Sequence, residues 1–148
     1  WLGTCLQVLA VGDGDLTFSR ALLRCLPPGA AALTASTYLG REDVLQRYRA
    51  AATAIEELEQ GGASVLHGVD ACSLLPEEDC AADVIVFNYP HLGDVPGDCH
   101  SPDSDHVRQH RALLAHFLNR ARARLRADWG QVHVTVCGNQ SSLWRLHE

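Results

Sequence analysis

The stretch Leu6-Gln7-Val8-Leu9-Ala10-Val11-Gly12-Asp13-Gly14-Asp15-Leu16-Thr17-Phe18-Ser19 decides the reading of the fold. Residues 6–12 are an apolar run that stops at glycine, the pattern of a strand buried on both faces. Gly12-Asp13-Gly14-Asp15 supplies a turn. From Leu16 to Leu26 the apolar Phe18, Leu22, Leu23 and Leu26 return at helical spacing, until Pro27-Pro28-Gly29 ends the run. Strand, glycine turn and helix together form the opening unit of a parallel α/β sheet.

The alternation continues outward from that unit. Leu33 to Leu39 reads as a second strand, and residues 41–59, with Val44, Leu45, Tyr48, Ala52, Ile55 and Leu58, as one amphipathic helix stopped by Gly61-Gly62. Ser64 to Val69, Asp83 to Asn88 and Gln131 to Cys137 read as strands three, four and five. A long helix before the fifth would face the core with Leu113, Leu114, Phe117, Leu118, Ala121 and Leu125, after a loop at 92–105 rich in Gly, Pro, Asp and Ser. The expected fold is therefore α/β, a parallel sheet with helices on both faces and a ligand crevice at the carboxyl ends of the strands. Since the chain stops soon after Trp144, the sheet is expected to be truncated at its C-terminal end.

The whole chain, residues 1–148, reads as a single domain with enough length for a core. It opens at Trp1 and holds no methionine, so it is expected to be a fragment of a longer protein. A net charge of −6 argues against holding nucleic acid by bulk electrostatics, and any RNA substrate would need help from other segments. The six cysteines are scattered with no Cys-x-x-Cys, which reads as a reduced, intracellular protein. No apolar run approaches the roughly 20 residues of a membrane span, so no membrane partner is expected.

Four places could carry chemistry. In the first turn, Gly12 and Gly14 would let a ligand lie against the main chain, while Asp13 and Asp15 suit a sulfonium, an ammonium or ribose hydroxyls better than a pyrophosphate. Thr17 stands where a dinucleotide fingerprint needs its third glycine, which weakens a nicotinamide oxidoreductase reading. At the second strand's end, Thr37-Tyr38-Leu39 lacks the acid that often holds a ribose. Asp70, after the third strand, could accept from an adenine amino group or simply cap the turn starting at Ala71. Asn88-Tyr89-Pro90-His91 could hold a planar base by its edge and stack it on Tyr89, or only close a turn.

His91, His100, His106, His110 and His116, with Cys99, invite a metal reading, and His106 and His110 are one helical turn apart. No second cysteine pair completes a tetrahedral set, so no metal is expected. Arg120, Arg122, Arg124 and Arg126 alternate along a helix and cannot share one face; they read as a solvated helix end.

Taken in order, Val11-Gly12-Asp13-Gly14-Asp15-Leu16-Thr17-Phe18-Ser19, His67-Gly68-Val69-Asp70-Ala71, Phe87-Asn88-Tyr89-Pro90-His91, His110-Arg111-Ala112-Leu113-Leu114 and Val132-His133-Val134-Thr135 resemble the Rossmann-like ribosomal RNA uridine-N3 methyltransferase family. A related branch of that family carries a ferredoxin-like anticodon-binding domain. The resemblance implies a Rossmann-like class I methyltransferase fold and S-adenosylmethionine in the crevice. It places Gly12, Asp13, Gly14 and Asp15 by the donor's amino-acid part, Thr37 and Tyr38 near the ribose, Asp70 near the adenine and Asn88 nearby. It implies that Asn88 and Pro90 face the target base, with Asp15 or His91 removing the N3 proton. It also implies structured RNA as partner, ribosomal or transfer, in a ribosomal or ribosome-assembly particle, and a nuclear, nucleolar or organellar location. The sequence departs from the family pattern at Leu39, where aspartate follows the tyrosine. The alternative is a catalytically silent Rossmann module kept as a scaffold or assembly factor.

Overall fold

The computed structural model describes residues 5–73, 81–93 and 98–146. Five strands, β1 (Leu6–Val11), β2 (Ala31–Ser36), β3 (Ser64–Leu66), β4 (Val84–Asn88) and β5 (Gln131–Thr135), form one sheet in the order β3-β2-β1-β4-β5. Every neighbouring pair is parallel. Helices α1 (Thr17–Cys25), α2 (Arg41–Arg47), α3 (Ala51–Gln60), α4 (Asp105–Arg124) and α5 (Gln140–Leu143) complete the described elements, with a 3₁₀ turn at Ala71–Ser73. This is the Rossmann-like α/β fold.

The period of two along β1 divides the core. Val8 and Ala10 pack with Leu33 and Ala35 against Ala54, Ile55 and Leu58 of α3 and partly buried Leu22 and Leu23 of α1. Leu9 and Val11 turn to the opposite face, where they join Ile85, Phe87 and, from α4, Phe117 and Ala121. Helices therefore cover both faces, which is why β1 has no polar residue between Val8 and Val11. Helix α1 ends where Leu26 turns extended (ψ 138°), the conformation imposed by the proline that follows it.

The structure departs from the sequence reading in several places. The stretch expected as one helix over 41–59 is two, because Tyr48 is extended (φ −121°, ψ 111°) and resets the helical phase. The buried residues become Val44 in α2 and Ala51, Ala54, Ile55 and Leu58 in α3, leaving Leu45 and Ala52 exposed. Strands β2, β3 and β5 end two to three residues before their expected ends, at Ser36, Leu66 and Thr135. Leu118 and Phe18 are exposed rather than core; on α4 the buried line runs through Val107, His110, Leu113, Leu114, Phe117 and Ala121.

Candidate functional site

The order β3-β2-β1-β4-β5 reverses direction between β1 and β4, and ligands in such sheets lie outside the carboxyl ends of the strands at that reversal. Val11 pairs with Phe87 in register. One residue further on, Gly12 opens the loop after β1 while Asn88 closes β4, so the two sequence motifs meet across adjacent strands.

Gly12 has φ +66°, and a Cβ built there would come within 2.7 Å of the Phe87 ring. Both facts require glycine: the left-handed backbone and the aromatic ring lying beneath the turn. Gly14 is closed in by the Tyr48 hydroxyl, 3.2 Å from where its Cβ would stand. The break between α2 and α3 thus delivers Tyr48 to the glycine bend.

The two acids of the bend are tied to the start of α1. Asp13 Oδ2 accepts from the Ser19 N–H at 2.7 Å, and Asp15 Oδ1 accepts from both the Thr17 N–H (3.0 Å) and the Thr17 hydroxyl (2.6 Å). They satisfy donors that a helix start leaves open. Burial pushes the Asp13 carboxyl above its ordinary range, opposed by the hydrogen bonds from Ser19 and reinforced by the Asp15 charge.

Backbone bonds stitch the neighbouring loops into one rim. The Asp13 N–H donates to Ser36 O, the Thr37 N–H to Leu66 O, the Gly68 N–H to Leu39 O and the Val69 N–H to Thr37 O. Asp70 therefore follows the same edge as Gly12 and Asn88. Within this rim Thr37 is fully buried and its side chain looks inward. Its single hydroxyl proton goes to Leu39 O at 2.7 Å, so the contact with His67 Nδ1 at 2.9 Å is donated by the imidazole. His67 accordingly carries its proton on Nδ1. Burial lowers its pKa, with the Arg41 charge acting the same way and Glu59 opposing. Tyr38 stands out in solvent. Asp70 caps the 3₁₀ turn, with Oδ1 accepting from the Cys72 N–H at 2.8 Å and Oδ2 from the Ser73 hydroxyl at 3.2 Å.

On the other side of the crevice, Asn88 Oδ1 accepts from the Thr135 hydroxyl at 2.7 Å, which directs the amide nitrogen away from β5. Tyr89 follows with φ +50°, a left-handed conformation unusual for an aromatic residue, and the residue is 62% exposed. Its N–H is anchored to Thr135 O, and Pro90 is fully buried. The strain is therefore held on both sides of an exposed ring.

His91 comes next, exposed, with Nδ1 accepting from the Gly93 N–H at 2.9 Å. Its ring lies 4.7 Å from that of His110 and 6.2 Å from that of His106, centroid to centroid. His110 is fully buried and stacked on Trp144 at 5.2 Å. Burial lowers its pKa, joined by the His106 and His91 charges against the bond to His106 O. A cavity of about 400 Å³ lined by Leu23, Leu26, Pro27 and Pro28 reaches Ala31, where β2 begins, so it lies at the opposite edge of the sheet.

A family model described as rRNA (uridine-N3-)-methyltransferase BTM5-like matches residues 9–148. The chain belongs to this family. The match runs from β1 onward and takes in both the glycine bend and the Asn88–His91 turn. The chain is 36% identical to heavy metal-associated isoprenylated plant protein 41 of Arabidopsis thaliana over 148 residues, 96% of this chain and 27% of that protein. It is 34% identical to the ferredoxin-fold anticodon-binding domain-containing protein 1 homolog of Mus musculus over 137 residues, 90% of this chain and 20% of that protein. The chain thus spans about a quarter of the length of these relatives or less.

Tyr48, Thr135 and Trp144 neighbour the site without a motif that marks them as such in the sequence. Tyr48 has no local signal, since nothing near it breaks a helix. Thr135 needed the β4–β5 register, which pairs it with Asn88.

Proposed function

We propose that this chain is the catalytic domain of an S-adenosylmethionine-dependent RNA methyltransferase acting on N3 of a uridine in ribosomal RNA. Membership of the family supports the reaction. The relative named for an anticodon-binding domain supports RNA as partner and leaves transfer RNA as the rival substrate. The observation that carries the reading is the meeting of the Gly12 bend with the Asn88–Tyr89–Pro90 turn at the sheet's reversal point.

The residues fit the cofactor. A bend with no Cβ at Gly12 or Gly14 lets main-chain atoms approach a ligand closely, and Asp13 and Asp15 on that bend would supply negative charge to complement a sulfonium and an ammonium. Asp70 would hold the adenine, and Thr37 and Tyr38 would lie by the ribose, where the chain has Leu39 instead of a carboxylate. S-adenosylmethionine supplies a methyl group already activated for in-line displacement, so the protein's task is alignment and exclusion of water.

Asn88 orients the base. With Oδ1 held by Thr135, its amide N–H groups are the end offered to a uracil carbonyl, and the exposed Tyr89 ring offers a face for stacking. The N3 proton needs an acceptor. Both bonds that Asp15 accepts from Thr17 go to Oδ1, leaving Oδ2 for the proton. His91 would first have to release the Gly93 N–H from Nδ1. Asp15 is therefore the base in this proposal, with Pro90 fixing the turn.

A silent scaffold is the second reading, favoured by the inward commitment of Thr37 and the capping roles of Asp13 and Asp70. Calorimetry with S-adenosylmethionine and transfer assays on ribosomal RNA separate the two. Asn88→Ala is expected to bind cofactor within a few-fold of wild type and to lose transfer, while Asp70→Ala loses affinity. Absence of cofactor binding would overturn the enzyme reading and leave the scaffold standing, and equal affinity losses in both variants would overturn the roles assigned to Asn88 and Asp70.

A further inference from the structure

We propose that His91, His106 and His110 form a binding site for one divalent transition-metal ion of the zinc class, with a coordination position left open to solvent. One ring nitrogen from each residue lies within 4.8 Å of those of the other two. Tetrahedral ligation with metal–nitrogen bonds of about 2.05 Å would bring them to about 3.3 Å, a contraction that rotation of the exposed His91 ring and small shifts of the others can supply. Three imidazoles with one open position suit zinc, cobalt, nickel or copper far better than calcium or magnesium, which take oxygen ligands.

The two rings on α4 each contribute an independent reason. His106 and His110 are one turn apart on α4, so both project from one side of the helix. His110 donates its Nδ1–H to His106 O at 2.8 Å, the outer bond that fixes a metal-ligating tautomer and puts the lone pair on Nε2. The Trp144 ring stacked on it and complete burial hold that ring in place. His106 Nδ1 is buried with no hydrogen-bond partner among the described residues, an unmade bond of the kind that needs explanation.

At present the lone pairs of His110 and His91 are capped by backbone. The Leu92 N–H reaches His110 Nε2 at 3.3 Å, beyond normal hydrogen-bond length, and the Gly93 N–H reaches His91 Nδ1 at 2.9 Å. Both donors belong to an exposed loop, so water can take them when an ion takes the nitrogens. Metal entry therefore exchanges two loop bonds for ligand bonds and repositions residues 91–93, directly after the Tyr89–Pro90 turn. Asp98, Cys99 and His100 form another donor group, but all three are exposed neighbours in one loop. The proposal stands independently of methyl transfer.

The test is titration of chelator-treated protein with Co²⁺, followed by visible ligand-field absorption and Trp emission, with Zn²⁺ displacement by calorimetry. One equivalent of Co²⁺ is expected to bind, quench the buried Trp144 and be displaced by Zn²⁺. His91→Ala, an exposed substitution that leaves the core intact, should weaken binding at least tenfold, as should His106→Gln. The proposal is overturned if Co²⁺ does not bind, if His91→Ala binds as well as wild type, or if a thiolate charge-transfer band appears and vanishes in Cys99→Ser.

Discussion

Replacing Gly12 by alanine tests whether the bend under the crevice is held as tightly as its geometry says. Two costs add. Alanine at φ +66° pays the left-handed penalty, about 1–2 kcal/mol. Its Cβ would also stand 2.7 Å from Phe87 Cε2, and Phe87 is itself wedged edge-on against Phe117 with ring centroids 4.8 Å apart. Overpacking of that kind costs about 1–3 kcal/mol. A gain of about 0.4–1 kcal/mol from stiffening the unfolded chain offsets part of this, for a net loss of about 3 kcal/mol. Gly68 is the internal control, because it has φ +71° and nothing within 4 Å of its Cβ position. Gly68→Ala should lose only about 1 kcal/mol. Urea denaturation at equilibrium measures both, and trimming the ring in Gly12→Ala/Phe87→Leu should return a coupling of about 1 kcal/mol or more. If Gly12→Ala matches Gly68→Ala within about 0.5 kcal/mol, the steric argument for the bend is wrong.

Thr135→Val should leave cofactor affinity unchanged and cut methyl transfer at least tenfold, since it releases the Asn88 carbonyl that orients the amide; unaltered turnover would remove Thr135 from the site. Asp83 is buried, with its carboxylate bonded to the Gln7 N–H and to Arg126, so Asp83→Ala should cost about 2–4 kcal/mol at pH 7, less than a fully buried pair because Arg126 is partly exposed. Burial alone would raise the Asp83 pKa, but the Arg126 and Gln7 bonds outweigh it and the net shift is downward. That increment is therefore present above the unfolded carboxylate value of about 4 and lost as pH falls through the folded one, so denaturation of wild type and Asp83→Asn should converge in acid. His67 is held neutral with a lowered pKa, so its contribution is present above about pH 6.5 and declines as pH falls through the folded value. His67→Gln should flatten that part of the stability profile, and an unchanged slope would refute the assignment.

The fold was legible because β1, the glycine turn and α1 each obey a local rule: an unbroken apolar run, residues that tolerate a left-handed turn, and a helical period stopped by proline. The same local rules placed the four candidate segments after the carboxyl ends of β1, β2, β3 and β4. What escaped was set by distant neighbours. Nothing between Arg47 and Ala51 marks the extended Tyr48, whose hydroxyl packs by Gly14 and whose conformation divides one amphipathic pattern into two helices. Leu118 carries the right residue type for a core and faces solvent, because the buried line of α4 runs through Leu114, Phe117 and Ala121 and leaves it to one side.

The roles of the acids show the same division between local and distant causes. Aspartate at a loop–helix junction prefers to accept from the backbone two or more residues ahead, and Asp13, Asp15 and Asp70 all do so. Their residue type alone could not separate holding a ligand from holding the loop. The geometry makes the two tasks compatible in different degrees. Asp70 has a bond on each carboxylate oxygen, and Asp13 is half-enclosed with its carboxyl pushed upward by burial. Asp15 places both its bonds on one oxygen. Asp15 can therefore accept a proton on Oδ2 with both of those bonds left in place, and Asp13, bonded through Oδ2, has the same freedom at Oδ1. Asp15→Asn should therefore preserve the start of α1 while abolishing transfer even at saturating cofactor, with cofactor affinity weakened by the lost charge. Wild-type turnover in a folded Asp15→Asn protein would move the proton acceptor elsewhere, with His91 the next residue to test.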